Sequence, residues 1–155
     1  MSELDGIPFF VDEMVPPLRA ATLLGVRGNT LRHFERGTED RAILDEAEAS
    51  GGVVVTADRW FYDQVHSRLP HRPSRLRRAG VVRIPGVWRV AEPLLAEWLP
   101  VIEAAYRVAQ GRADRRVVIA FEPGQGRIVI DNDPDPTVAA RLRGEGITGA
   151  AVRRL

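Results

Sequence analysis

Two short segments, FFVDE at Phe9 to Glu13 and VVVTAD at Val53 to Asp58, each run a β-branched or aromatic apolar stretch straight into a carboxylate. An uninterrupted apolar run fits a parallel strand covered on both faces, whose next residue meets solvent and ligand at the sheet's carboxyl edge. Two such strands aim Asp12 and Asp58 at one crevice. Converging carboxylates without a lysine beside them repel each other unless a divalent cation lies between, and hard oxygen donors suit magnesium or manganese.

The rest of the chain narrows the possibilities. Its 155 residues suit one core. No apolar run approaches the roughly 20 residues of a membrane span, and the N-terminus carries acids and no basic leader, so a cytoplasmic protein is expected. The absence of cysteine excludes disulfides, thiolate zinc sites and cysteine nucleophiles. All 22 basic residues are arginine. Codon usage in a GC-rich genome is the ordinary explanation, yet the lack of lysine also removes Schiff-base chemistry, P-loops and the lysine of a phospho-receiver. The net charge is only +1, but no acid occurs from Gln64 to Ala91, where Arg68, Arg72, Arg75, Arg77, Arg78, Arg83 and Arg89 fall with His66 and His71. This patch reads either as a solvated loop and helix end or as a phosphate-binding rim, since guanidinium forks match phosphate oxygens.

Along the chain, strands are expected at Ile7 to Val11, Asn29 to Phe34, Val53 to Thr56 and Gly80 to Ile84. Helices are expected from Pro16 to Leu24, from Glu39 to Ala49 with Thr38 as N-cap, and from Ala91 to Gln110 with a kink at Pro100, while a helical or irregular stretch from Arg59 to about Leu69 leads into a proline-punctuated basic loop. Arg116 to Phe121 and Arg127 to Ile130 flank the turn EPGQG and read as an antiparallel edge hairpin. The expected fold is α/β and three-layered: a central, mostly parallel sheet, helices on both faces, right-handed crossovers and that C-terminal hairpin. Residues 1–130 form the domain. Residues 131–155 form a proline- and acid-rich linker, a short helix at Thr137 to Arg143 and a loosely held tail.

Four acids are candidates for metal-assisted phosphodiester cleavage: Asp12, Asp40, Asp58 and Asp63. Each has an ordinary alternative. Asp12 could end its strand in a salt bridge, Asp40 could complement a helix dipole, Asp58 could cap the following helix, and Asp63 could face solvent. Trp60 belongs to an aromatic cluster with Phe61 and Tyr62, where a ring can be core or can stack on an unpaired base. His33, His66 and His71 lack zinc-ligand spacing and read as partly exposed polar residues.

The motif order FFVDEMVPPL, GTEDRAILDEA, GGVVVTADRWFYD and GVVRIPG, then a long helix and a terminal hairpin, resembles the PIN-like proteins, a branch of the PIN-domain nucleases related to the Mut7-C domain. The likeness covers about Ile7 to Ile130. It implies a parallel sheet with acids at its carboxyl edge and, as in the better-known PIN relatives, metal-dependent ribonuclease activity, several of those being toxins of toxin-antitoxin pairs. Carried over, the first-strand acid is Asp12, the helix acid Asp40 and the third-strand acid Asp58. PIN-like relatives often place a second acid two residues after the third-strand Asp. Here that position is Trp60, and Asp63 is the nearby substitute.

The expected function is therefore a magnesium- or manganese-dependent ribonuclease, with Asp12, Asp40 and Asp58 as ligands and Arg68, Arg72, Arg75, Arg77, Arg78 and Trp60 on RNA. The alternatives are a degenerate PIN-like module that binds RNA or a protein without cutting, and a phospho-receiver, against which the missing lysine argues. RNA is the expected partner, with an antitoxin protein and a second copy of the chain as further candidates.

Overall fold

The computed structural model describes residues 6–11, 15–16, 19–20, 23, 29–34, 37–66, 68–69, 72–73, 76–110, 117–121, 128–133 and 151–154. The strands are β1 (Pro8–Val11), β2 (Thr30–His33), β3 (Val53–Thr56), β4 (Arg68–Leu69), β5 (Arg72–Pro73), β6 (Gly80–Arg83), β7 (Val118–Phe121), β8 (Ile128–Asp133) and β9 (Ala151–Arg154). The helices are α1 (Asp40–Ser50), α2 (Arg59–His66) and α3 (Trp88–Gln110). Among the described residues no helix is long and apolar enough to cross a membrane.

The main sheet has the order β2-β1-β3-β6-β7-β8-β9. Its first five strands are all parallel. β1 and β3 form where the sequence is apolar on consecutive residues: Phe9, Phe10 and Val11, like Val53 to Thr56, are buried on both sides of the sheet. Side chains alternate between faces with period two. Phe9, Val11, Val53, Val55, Val82 and Ile119 join one cluster, while Phe10, Val54, Val81 and Val118 join another.

Helices cover both faces. α3 places Ala91, Leu95, Leu99, Ile102, Ala105 and Ala109, spaced three or four apart, on the first face. Val15, Ala20 and Leu23 pack there too, and Arg19 ties that segment to α3 by a two-pronged ion pair with Glu92 at 2.7 Å. That hydrogen bond holds the Glu92 carboxyl below the usual carboxylate range. α1, through Ile43, Leu44 and Ala47, and α2, through Phe61 and Val65, cover the second face. Asn29 adds a buried polar tie, accepting from the Ile7 N–H at 2.9 Å and donating to Glu103 at 3.1 Å.

Several expectations are corrected. The steps from β2 to β3 and from β3 to β6 go the same way across the sheet and cross on the face of α1 and α2. The step from β6 to β7 goes that way as well but crosses on the other face through α3. The α3 crossover therefore has the opposite hand to the two before it, so the crossovers are not all right-handed as expected. α1 and α2 already cover the second face, so α3 supplies the helix that Phe9, Val11, Val55 and Val82 need. Glu39, not Thr38, occupies the N-cap of α1, with no side-chain cap bond. α3 begins three residues earlier than expected and takes both Pro93 and Pro100 inside it.

At the far end of the sheet, β8 pairs antiparallel with β7 and β9 pairs parallel with β8, so β9 is outermost where an edge hairpin was expected. β8 runs through the expected boundary at residue 130, and β9 lies in the expected tail. The EPGQG turn, most of the first expected helix and the helix expected at Thr137 to Arg143 lie outside the described residues.

Candidate functional site

The strand order reverses at β1. The chain leaves β1 towards β2, with Val15, Ala20 and Leu23 on the first face, and leaves β3 through α2 on the second. Outgoing segments thus part to opposite faces between two adjacent strands, which in open α/β sheets opens the ligand crevice at the carboxyl ends. β1 and β3 are in register with Val11 opposite Val55. Asp12 follows Val11 directly in sequence and lies outside the described residues. Asp58 stands two residues beyond the end of β3, and α1, entered from the carboxyl end of β2, starts on Asp40 at the same edge.

Asp58 is exposed. Its Oδ1 accepts from the Trp60 N–H at 2.8 Å, and its own N–H donates to Thr56 Oγ1 at 3.0 Å. It therefore caps α2, supplying an acceptor for one of the helix's open amides. Among the described residues, Oδ2 makes no hydrogen bond and remains available to a ligand. Asp40 is exposed in the first turn of α1, where a negative charge favours the helix dipole. Asp63 lies more than a turn along α2, exposed and paired with Arg59 at 3.5 Å across i,i+4. That pair turns to solvent, and Asp63 is not at the sheet edge. Among the described residues no three acidic, histidine or cysteine side chains are grouped so as to hold a metal ion.

Trp60 is half-buried, meets Phe61 edge-to-face at 5.1 Å and packs against the second-face cluster. His33, at the end of β2, has its Nε2 2.9 Å from the Val15 carbonyl oxygen. A carbonyl only accepts, so Nε2 carries the proton.

Arg77 and Arg78 do not lie at this edge. α2 carries the chain back about 12 Å from the carboxyl edge, and Arg77 and Arg78 immediately precede β6, whose first residue, Gly80, pairs with the first of β3, Val53. Arg77 and Arg78 therefore sit at the amino edge, opposite Asp58. Their backbone is engaged there: the N–H groups of Arg77, Arg78 and Ala79 all donate to the Glu48 carboxylate, at 2.9–3.2 Å. The Arg78 guanidinium also donates to the Ala49 carbonyl at 2.9 Å, satisfying the end of α1. Arg68 pairs with Pro73 and Arg72 with Leu69 in the small β4-β5 ladder, where the sequence suggested the end of a helical or irregular stretch and then a loop, and Arg75 lies outside the described residues.

Three consecutive amides around one carboxylate form an anion-binding concavity that the chain fills with its own side chain. Glu48→Ala is expected to lower stability by about 1–3 kcal/mol because those donors lose a charged acceptor. Urea unfolding should show a lower midpoint at an unchanged slope.

Sequence reasoning passed over Arg83 as a single residue. GVVR ends an apolar run on a charge just as VVVTAD does, and Arg83 pairs in register with Thr56 at the carboxyl edge. No protein-family model, curated protein or solved structure matches the chain.

Proposed function

We propose that the chain is a magnesium- or manganese-dependent ribonuclease whose site is the crevice between the carboxyl ends of β1 and β3. The observation that carries this reading is the direct parallel pairing of these strands, Val11 opposite Val55, because it brings the two apolar runs that end in acids to one edge at the point where the strand order reverses. Asp12, Asp40 and Asp58 would hold the cation. The donor chemistry fits, since carboxylate oxygens suit these ions and Asp58 Oδ2 is uncommitted among the described residues. The chemistry supplied by a divalent ion at these carboxylates would be a lowered pKa for an attacking water and stabilisation of charge on the phosphate oxygens. Asp58, fixed by its bond to the Trp60 amide, keeps one carboxylate oxygen at a constant position.

The test is hydrolysis of a mixed RNA pool with manganese. Asp12→Asn and Asp58→Asn are each expected to lose about 100-fold or more in rate, the scale of losing one electrostatic contact to the reacting group. Asparagine at 58 still caps α2 through its amide oxygen, so the helix is retained. Unchanged cleavage by either variant places the reaction elsewhere.

A second reading, a PIN-like module that binds RNA without cutting, is favoured by Trp60 standing where relatives carry an acid and by the use of Asp58 Oδ1 as a cap. Salt-sensitive RNA binding with no manganese uptake by calorimetry would select it.

A further inference from the structure

We propose that Arg83 is the phosphate-binding residue of the carboxyl edge, taking a backbone phosphodiester of RNA beside Asp58. The inference rests on the reading of that edge as an RNA site and adds the group that grips the substrate. Arg83 is the last residue of β6 and the register partner of Thr56, the last residue of β3. The pairing continues one residue further through the Ile84 N–H, which donates to the Thr56 carbonyl at 2.9 Å. By alternation from Val81, which joins the second-face cluster, and Val82, which joins the first, Arg83 shares the face of α1 and α2. Thr56 is on that face, fully buried, and the chain turns from it through Ala57 into Asp58. Arg83 thus starts one strand spacing, about 4.8 Å, from the strand that carries the capping aspartate.

The state of the side chain sets Arg83 apart. Arg83 is partly buried, and within the described residues it makes no hydrogen bond or ion pair. Several exposed arginines, by contrast, are engaged: Arg19 with Glu92, Arg32 with Glu46, Arg59 with Asp63 and Arg78 with the Ala49 carbonyl. Leaving five N–H donors half-buried without acceptors is costly. A bidentate anion removes that cost, and a guanidinium fork matches two oxygens of one phosphate. A phosphate approaching Asp40 and Asp58 meets two negative side chains at this edge. Arg83 offsets that repulsion from the β6 side of the crevice, complementing the cation proposed between β1 and β3.

The experiment is fluorescence anisotropy of the full chain with a labelled single-stranded RNA of 12 nucleotides, in EDTA, over a range of salt concentrations. Arg83→Gln is expected to weaken binding about tenfold and to reduce the slope of log affinity against log salt by about 0.7, one phosphate contact. Arg83→Lys should fall between, keeping the charge but losing the fork. Arg107→Gln, exposed in the last turn of α3 at the opposite edge, should bind as wild type. Thermal unfolding of each variant separates loss of contact from loss of fold, and Arg83→Lys carries the test if Arg83→Gln unfolds. Equal affinity and slope for wild type and Arg83→Gln, an equal loss from Arg107→Gln, or no RNA binding by the wild type would each overturn the assignment. Because metal is absent, the outcome separates from the hydrolytic reading: RNA held through Arg83 without manganese-dependent cleavage keeps this residue and removes the nuclease. Cleavage indifferent to Arg83 does the reverse.

Discussion

Gly52→Ala is expected to be among the most damaging single changes in the chain, lowering stability by about 3 kcal/mol and the melting temperature by about 6–12 °C for a chain of this size. The added methyl group would press into the Phe10 ring and lie 2.6 Å from the Pro8 carbonyl oxygen. Phe10 is packed in the second-face cluster against Phe34, with ring centroids 5.8 Å apart, so it has little room to yield. The Pro8 carbonyl is backbone of β1 and cannot rotate away. Gly52 also donates its N–H to the Ala47 carbonyl at 2.9 Å, closing α1 just after Gly51 takes the left-handed conformation at φ 68°. Moving Gly52 to relieve the clash would disturb both the end of α1 and the start of β3. Differential scanning calorimetry of this variant beside Gly86→Ala is decisive, since an added methyl at Gly86 meets nothing within 4 Å. Equal melting temperatures would mean that β1 and the α1-β3 turn do not approach as described.

Phe61→Ala is expected to cost about 3–5 kcal/mol through lost burial and the cavity left behind. Phe61 is 1% exposed and anchors α2 to the sheet together with Val65. The effect reaches the site because Asp58 and α2 are joined by the cap bond to Trp60, and a loosened helix no longer fixes the carboxylate. Phe61→Leu keeps most of the volume and should cost under about 1.5 kcal/mol. Urea titrations of the two variants check the difference. A Phe61→Ala cost no greater than that of Val87→Ala, a change at a residue 56% exposed, would contradict the packing of α2.

How much of this was legible in the sequence depends on what the signal was. Strands showed themselves by composition: VVVT at Val53–Thr56 matches the expected span, and Gly80–Arg83 falls one residue short of it. α1 differs by one residue at each end, because Glu39 is its N-cap and Ser50 extends it until Gly51 turns the backbone left-handed. The ordinary alternatives written for Asp58 and Asp63 are present in the structure, a cap and a solvent-facing pair. What misled was distance along the chain. Arg77 and Arg78 follow Asp58 by about twenty residues and read as its neighbours, but a helix between parallel strands returns the chain to the other edge of the sheet. Residues that precede a parallel strand belong to its amino end, and residues that close it belong with the ligand. By that rule Arg83 is the basic residue to choose. The opposite hand of the α3 crossover had no local sequence signal, since it depends on which face α1 and α2 had already covered.

The order in which β1 acquires its neighbours bears on synthesis. β1 is flanked by β2 and β3, both of which come later in the chain. As the polypeptide emerges from the ribosome, PFFV must wait for residues 30–33 on one side and 53–56 on the other before its amides and carbonyls are all matched. Through that interval an apolar ribbon is open along both edges, the kind of surface that recruits foreign strands and chaperones alike.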